Sequence, residues 1–156
     1  MKYRKYFICL VFLAGCGKII HPAPTDEKML RNFSENKSTF LELQSMICRD
    51  RFETVSMNPE WSKPEGISEE KKLKYYSLFK RIGVSQLQSY DGCRAQFSFW
   101  SMAWAADGDY KDYQYRPSNP ENLVGSLDNL PLNEKDIIEY HRKIEENWYI
   151  SYSHWP

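Results

Sequence analysis

Arg94-Ala95-Gln96-Phe97-Ser98-Phe99-Trp100-Ser101-Met102-Ala103-Trp104 and, beyond Ala105-Ala106, Asp107-Gly108-Asp109-Tyr110-Lys111-Asp112-Tyr113-Gln114-Tyr115 decide how this chain folds. From Arg94 the apolar residues alternate with polar ones: Ala95, Phe97 and Phe99 on one side, Gln96 and Ser98 on the other. A period of two is the signature of a half-buried strand. Asp107-Gly108 is a hairpin signal, because both residues tolerate the positive φ of a tight turn. Tyr110, Tyr113 and Tyr115 suit a returning strand.

Downstream, residues 139–144 and 148–153 read as a last hairpin across Glu145-Glu146-Asn147, with Trp148, Ile150 and Tyr152 on a shared face. Residues 116–133 are rich in Pro, Asn and Ser and read as a long connection. Upstream the period changes. Phe33, Phe40, Leu43, Met46 and Ile47 make one stripe of a helix from Asp26 to about Asp50, with Asp26 or Ser34 as candidate caps. Phe52 to Ser56 is strand-like, and residues 58–66 form a loop containing Trp61. Ser68 caps a second helix whose dipole Glu69 and Glu70 complement; Leu73, Tyr76, Phe79 and Ile82 keep its period, and Gly83 stops it. The expected fold class is α+β: two N-terminal helices packed on one face of an antiparallel sheet of four to five strands.

The N-terminus has a different origin. Lys2, Arg4 and Lys5 precede the apolar run Tyr6 to Leu13, which ends in Ala14-Gly15. That is the layout of an export signal. The run falls well short of the roughly 20 residues that span a bilayer as a helix. Leu13-Ala14-Gly15-Cys16 resembles the lipobox of bacterial lipoproteins. The resemblance implies cleavage before Cys16, a diacylglyceryl thioether on its sulfur, and attachment to the membrane through that lipid. Gly17 is not the Asp that retains such proteins in the inner membrane, so the expected location is the cell envelope, on the periplasmic face of the outer membrane. The division is then residues 1–15 signal peptide, 16–25 lipidated tether and 26–156 one α+β domain. His21, within the Pro22/Pro24 tether, reads as a solvated side chain.

The mature portion also resembles small uncharacterised Gram-negative lipoproteins. The shared points are Phe40-x-x-Leu43-x-x-Met46, the Trp61 loop, Tyr113-x-Tyr115 and Asn147-Trp148-Tyr149. The likeness imports no catalytic residues.

Charge and cysteine narrow the chemistry. Residues 1–15 hold three of the 21 basic residues and none of the 21 acidic ones, leaving a slightly acidic mature chain of 141 residues. A nucleic-acid partner is not expected. Cys9 leaves with the signal and Cys16 takes lipid, so Cys48 and Cys93 remain. In an oxidising compartment they are expected to form a disulfide, the alternative being two buried thiols. No metal or other cofactor is expected: three scattered histidines give no ligand spacing, and Asp107, Asp109 and Asp112 do not follow a calcium loop. No Gly-x-Ser-x-Gly elbow is present. His141 and His154 read as structural or exposed, and no catalytic residue is assigned.

The remaining unusual feature is aromatic content in the sheet-forming half. If the helices cover the Phe97/Phe99 face, parity puts Trp100 and Trp104 on the other, as a candidate binding surface. The expected function is therefore a non-enzymatic, membrane-anchored binding module acting through an aromatic sheet surface on an envelope protein or glycan. The alternative is an envelope hydrolase of glycan or peptide that uses acidic residues as catalysts.

Overall fold

The computed structural model describes residues 22–62, 66–104, 107–120, 122–130 and 136–156, the side chains of Pro59 and Trp104 apart. The lipobox and Cys16 lie outside the described residues. In chain order the elements are α1 (Asp26–Asp50), β1 (Thr54–Ser56), α2 (Glu69–Ile82), β2 (Gln86–Tyr90), β3 (Arg94–Trp104), β4 (Asp107–Tyr115), β5 (Ile138–Glu145) and β6 (Trp148–Trp155), with short 3-10 turns at Pro59–Trp61 and Asp91–Cys93. The strands form one antiparallel sheet in the order β1-β2-β3-β4-β6-β5. No helix among the described residues is long and apolar enough to cross a membrane.

The α+β class holds, with two helices on one face of the sheet. The expected four to five strands are six, because β2 was not expected. Its sequence Gln-Leu-Gln-Ser-Tyr offers one buried apolar side chain, Leu87, too little for a hydrophobic period. The helices do not simply precede the sheet either, since β1 lies between them.

Helix α1 has the expected bounds, but Thr25 caps it, its Oγ1 accepting from the Lys28 N–H at 3.3 Å. Asp26 is occupied elsewhere, as described below. Asn36 leaves helical geometry and kinks α1. Ser68 and Gly83 close α2 as expected, Gly83 at φ 73°. The buried face of α2 is Tyr75, Leu78, Phe79 and Ile82, while Leu73 is 64% exposed. A strict spacing of three, as in Leu73-Tyr76-Phe79-Ile82, drifts around a helix of 3.6 residues per turn, so its first member swings out to solvent.

The covered face of the sheet carries Val55, Leu87, Ala95, Phe97, Tyr113, Trp148, Ile150 and Tyr152, all buried. Against them α1 sets Met29, Phe33, Phe40, Leu43 and Ile47. The centre is aromatic. Phe40 lies 4.7 Å from Tyr113 and 5.5 Å from Phe97, and Trp148 lies 5.1 Å from Phe33 and 5.4 Å from Phe97, as ring centroids. Offset or edge-on pairs at such distances add about 0.5–1.5 kcal/mol each beyond the area they bury. Much of the aromatic content of the second half is thus core. Cys48, in the last turn of α1, and Cys93, in the β2–β3 turn, form a disulfide that ties the helix to the sheet.

Two local readings of the sheet change. The β3–β4 ladder closes at Trp104↔Asp107, so Asp107 and Gly108 are paired strand residues and the connection is residues 105–106. The register also slips between Ser98 and Trp100, a β-bulge at Phe99. Before the bulge Ser98 pairs with Asp112; after it Trp100 pairs with Lys111, whose neighbour two places on, Tyr113, is core. The extra residue resets the face parity. Trp100 therefore falls on the side of Lys111 and Tyr113, that of the helices, and not on the opposite face expected for it by parity from Phe97 and Phe99.

Candidate functional site

The helix-free face of the sheet is polar. Pairing puts Thr54, Gln86, Gln88, Gln96, Ser98, Asp112, Gln114, Ser151, His141 and Glu139 on it. Asp112 sits in the middle and is 2% exposed. One carboxylate oxygen accepts from Gln96 Nε2 at 2.6 Å, the other from the Phe99 N–H at 3.2 Å. The bulge frees that N–H from the ladder and turns it toward the carboxylate. Burial pushes the Asp112 carboxyl up to about 7; the two hydrogen bonds oppose this and the charge of Glu139 adds to it.

The network extends both ways. Tyr90 donates its hydroxyl to Gln88 Oε1 at 2.8 Å and lies 3.2 Å from Gln96 Oε1; burial, then the charges of Asp112 and Glu139, raise its phenol. On the other flank Gln114 Nε2 donates to Glu139 Oε1 at 2.9 Å, and Gln114 Oε1 faces His141 Nε2 at 3.3 Å. His141 Nε2 is 3.4 Å from Glu139 Oε1, and that hydrogen bond is the main cause of the lowered Glu139 carboxyl. His141 is buried, and residues 122–124 hold its backbone, the His141 N–H donating to Asn122 O and the Val124 N–H to His141 O. Glu139, His141, Tyr90 and Arg94 border a small pocket of about 180 Å³ under residues 117–119.

A larger groove, about 580 Å³, runs over the β1–β4 end of this face. Gln86, Gln88, Ser98 and Asp112 line it, with Trp61, Phe99, Trp100 and Tyr110 as its aromatic members. Trp61 is 63% exposed, yet the turn that presents it is heavily tied. Ser62 Oγ accepts from the Ser56 N–H and donates to the Ser56 carbonyl; the Asn58 N–H donates to Ser56 Oγ, and Asn58 Oδ1 accepts from the Glu60 N–H. The turn thus holds a large exposed indole at the rim of the groove. Tyr110 is positioned by Gly108, where any Cβ would lie within 2.8 Å of the Tyr110 hydroxyl. A side chain at position 108 would push the Tyr110 ring from this place.

On the covered face a second polar cluster anchors the start of the domain. Lys111 and Asp26, each 1% exposed, pair at 2.8 Å. Lys111 Nζ also donates to the Pro24 carbonyl at 2.8 Å and to Asp128 Oδ1 at 2.9 Å. Arg142 reaches Asp26 Oδ2 at 2.6 Å, and the Leu127 N–H donates to the same oxygen at 2.8 Å. Burial raises the Asp26 carboxyl, but Lys111, the Leu127 N–H and Arg142 outweigh it, and the net displacement is downward. This cluster clasps Pro24 and the start of α1 to β4, β5 and residues 127–128.

Comparison with known protein families, known proteins and solved structures finds no match for this chain.

Of the residues singled out in the sequence, Cys48 and Cys93 meet as a disulfide. Trp100 is half-buried beside the bulge and borders both the Trp61 groove and a second groove by the helices. The Trp104 side chain lies outside the described residues. Sequence reasoning missed Asp112, Gln86, Gln88 and Trp61 as parts of one surface. Gln-x-Gln at 86–88 and Gln-x-Ser at 96–98 share a period of two, and that was the available signal. Among the described residues no three His, Cys, Asp or Glu side chains converge as a metal site.

Proposed function

We propose that this protein is a lipid-anchored envelope lipoprotein that binds glycan through the Trp61 groove. The observation that carries this reading is a constrained, exposed Trp61 facing a floor of Gln86, Gln88 and Ser98. A sugar ring has a face of C–H groups and a rim of hydroxyls. The first packs on an indole or phenol ring; the second needs closely spaced donors and acceptors, which primary amides supply. Asp112 keeps both carboxylate oxygens occupied by Gln96 and the Phe99 N–H, and this favours a recognition surface over a hydrolase built on that acid.

Co-sedimentation with insoluble peptidoglycan tests the reading. The protein should partition into the pellet and be released by soluble glycan fragments. Trp61→Ala should lose this while keeping its fold. Hydrolysis of the glycan during the assay would favour the enzyme, and a pellet fraction unchanged by Trp61→Ala would remove the groove from the account.

A further inference from the structure

Where α1 begins and α2 ends, four cations share one exposed surface: Lys28 and Arg31 from the first two turns of α1, Lys80 and Arg81 from the last turn of α2. Together with Pro22 and Trp100 they border an open groove of about 780 Å³. Its one acidic member is Glu35. All four cations are exposed, and among the described residues none makes an ion pair. Lys80 and Arg81 suit the negative end of their helix, but Lys28 and Arg31 sit near the positive end of theirs, where cations weaken a helix. The mature chain is slightly acidic, so the cluster is a local feature and not a general one.

We infer that this surface rests on the anionic phospholipid headgroups of the membrane that holds the Cys16 lipid; the inference builds on the lipid-anchor reading. Pro22 lies on the rim of the groove, and five residues separate it from Cys16. Fully extended, six steps of chain reach about 20 Å at most. The cations therefore stay close to the bilayer, and screening, with a Debye length of about 8 Å, rewards those at its surface. An indole beside the cations suits the headgroup region, where aromatic residues collect. The lipid fixes the protein's distance from the membrane, and the four charges fix its orientation.

The test uses the chain from residue 16, without residues 1–15, as lipidated parent and as Cys16→Ser, each with and without K28E/R31E/K80E/R81E. Vesicles of phosphatidylethanolamine with phosphatidylglycerol are compared with vesicles of phosphatidylcholine. The Cys16→Ser protein should prefer the anionic vesicles, lose the preference in high salt, and lose roughly tenfold or more of it on charge reversal. A K28Q/R31Q/K80Q/R81Q chain should fall between, and a thermal melt matching the parent excludes misfolding. Equal binding to both vesicle types, or a preference untouched by charge reversal, overturns the inference. So does displacement from vesicles by millimolar glycerol phosphate, which marks a site for soluble phosphate. The anchor is read separately, by uptake of labelled fatty acid in parent but not in Cys16→Ser. Failure there with the charge effect intact refutes the anchor and retains the surface.

Discussion

Asp112→Asn should stabilise this protein at alkaline pH, although it removes a charged residue with two good hydrogen bonds. The side chain is 2% exposed and its carboxyl is pushed up to about 7, chiefly by burial. In the unfolded chain the same group titrates near 3.8. Folding therefore retains a proton that the unfolded chain gives up, and stability falls as pH rises from about 4 to about 7, then levels off. The move from 3.8 to about 7 corresponds to about 4 kcal/mol, an upper figure for what the ionised form costs the fold. Asparagine has the shape of the protonated acid. Its Oδ1 can still accept from the Phe99 N–H, and Gln96 can turn its amide over to accept from Nδ2 while donating to Tyr90. Urea unfolding of parent and variant, with the disulfide intact, should give near-equal stabilities at about pH 4 and a gap opening toward about 4 kcal/mol in the variant's favour at about pH 8.5. Parallel pH profiles, or a variant weaker throughout, would mean that Asp112 is a comfortably ionised carboxylate, and the account of this face would fail.

Three further outcomes follow from the packing. Lys111→Met leaves Asp26 buried with Arg142 as its remaining cation, and urea unfolding at neutral pH should register a loss of about 3 kcal/mol, the lower end for breaking a buried pair. Because the Asp26 carboxyl is held below its usual value, its contribution is present above about pH 4 and is lost on acidification below that, so the parent and Lys111→Met curves should converge in acid. Phe97→Ala opens a hole between Phe40 and Trp148 and should cost about 3–5 kcal/mol in the same assay, with far-UV dichroism of the folded state retained. Replacing Cys48 and Cys93 together by serine should lower stability by up to about 4 kcal/mol, and mass spectrometry of the unreduced parent should find the two cysteines in one linked peptide pair.

What the sequence revealed depended on how strongly each residue's own preference matched its place. The Phe33 to Ile47 stripe gave α1 because its residues are apolar, helically spaced and face one core. Ser68 and Gly83 gave the ends of α2 because a side-chain cap and a left-handed residue are local requirements. Strand β2 was silent, since a strand flanked on both sides by partners needs little apolar content when one of its faces is polar. The bulge at Phe99 was missed although it left a trace: Phe99 and Trp100 are adjacent aromatics, and the large apolar residues pass from odd positions (97, 99) to even ones (100, 102, 104) at the point where the partner strand's register shows the extra residue. That one residue moved Trp100 relative to the expected face. Lys111 looked like a surface residue of a tyrosine-rich strand, because Asp26, Asp128 and the Pro24 carbonyl that hold it are distant in sequence. The candidate site was hidden for the same reason: strand order brings Gln88 and Asp112 to one face, and the tied turn after β1 adds Trp61.

The most direct measurement is an NMR titration of the mature protein with soluble peptidoglycan fragments, following the Trp61 indole N–H and the side-chain amides of Gln86 and Gln88. The account predicts saturable shifts confined to these groups and Tyr110, and an affinity at least roughly tenfold weaker in Trp61→Ala, the effect of removing a central aromatic anchor. Absence of shifts at saturating fragment, or shifts that persist unchanged in Trp61→Ala, would contradict it.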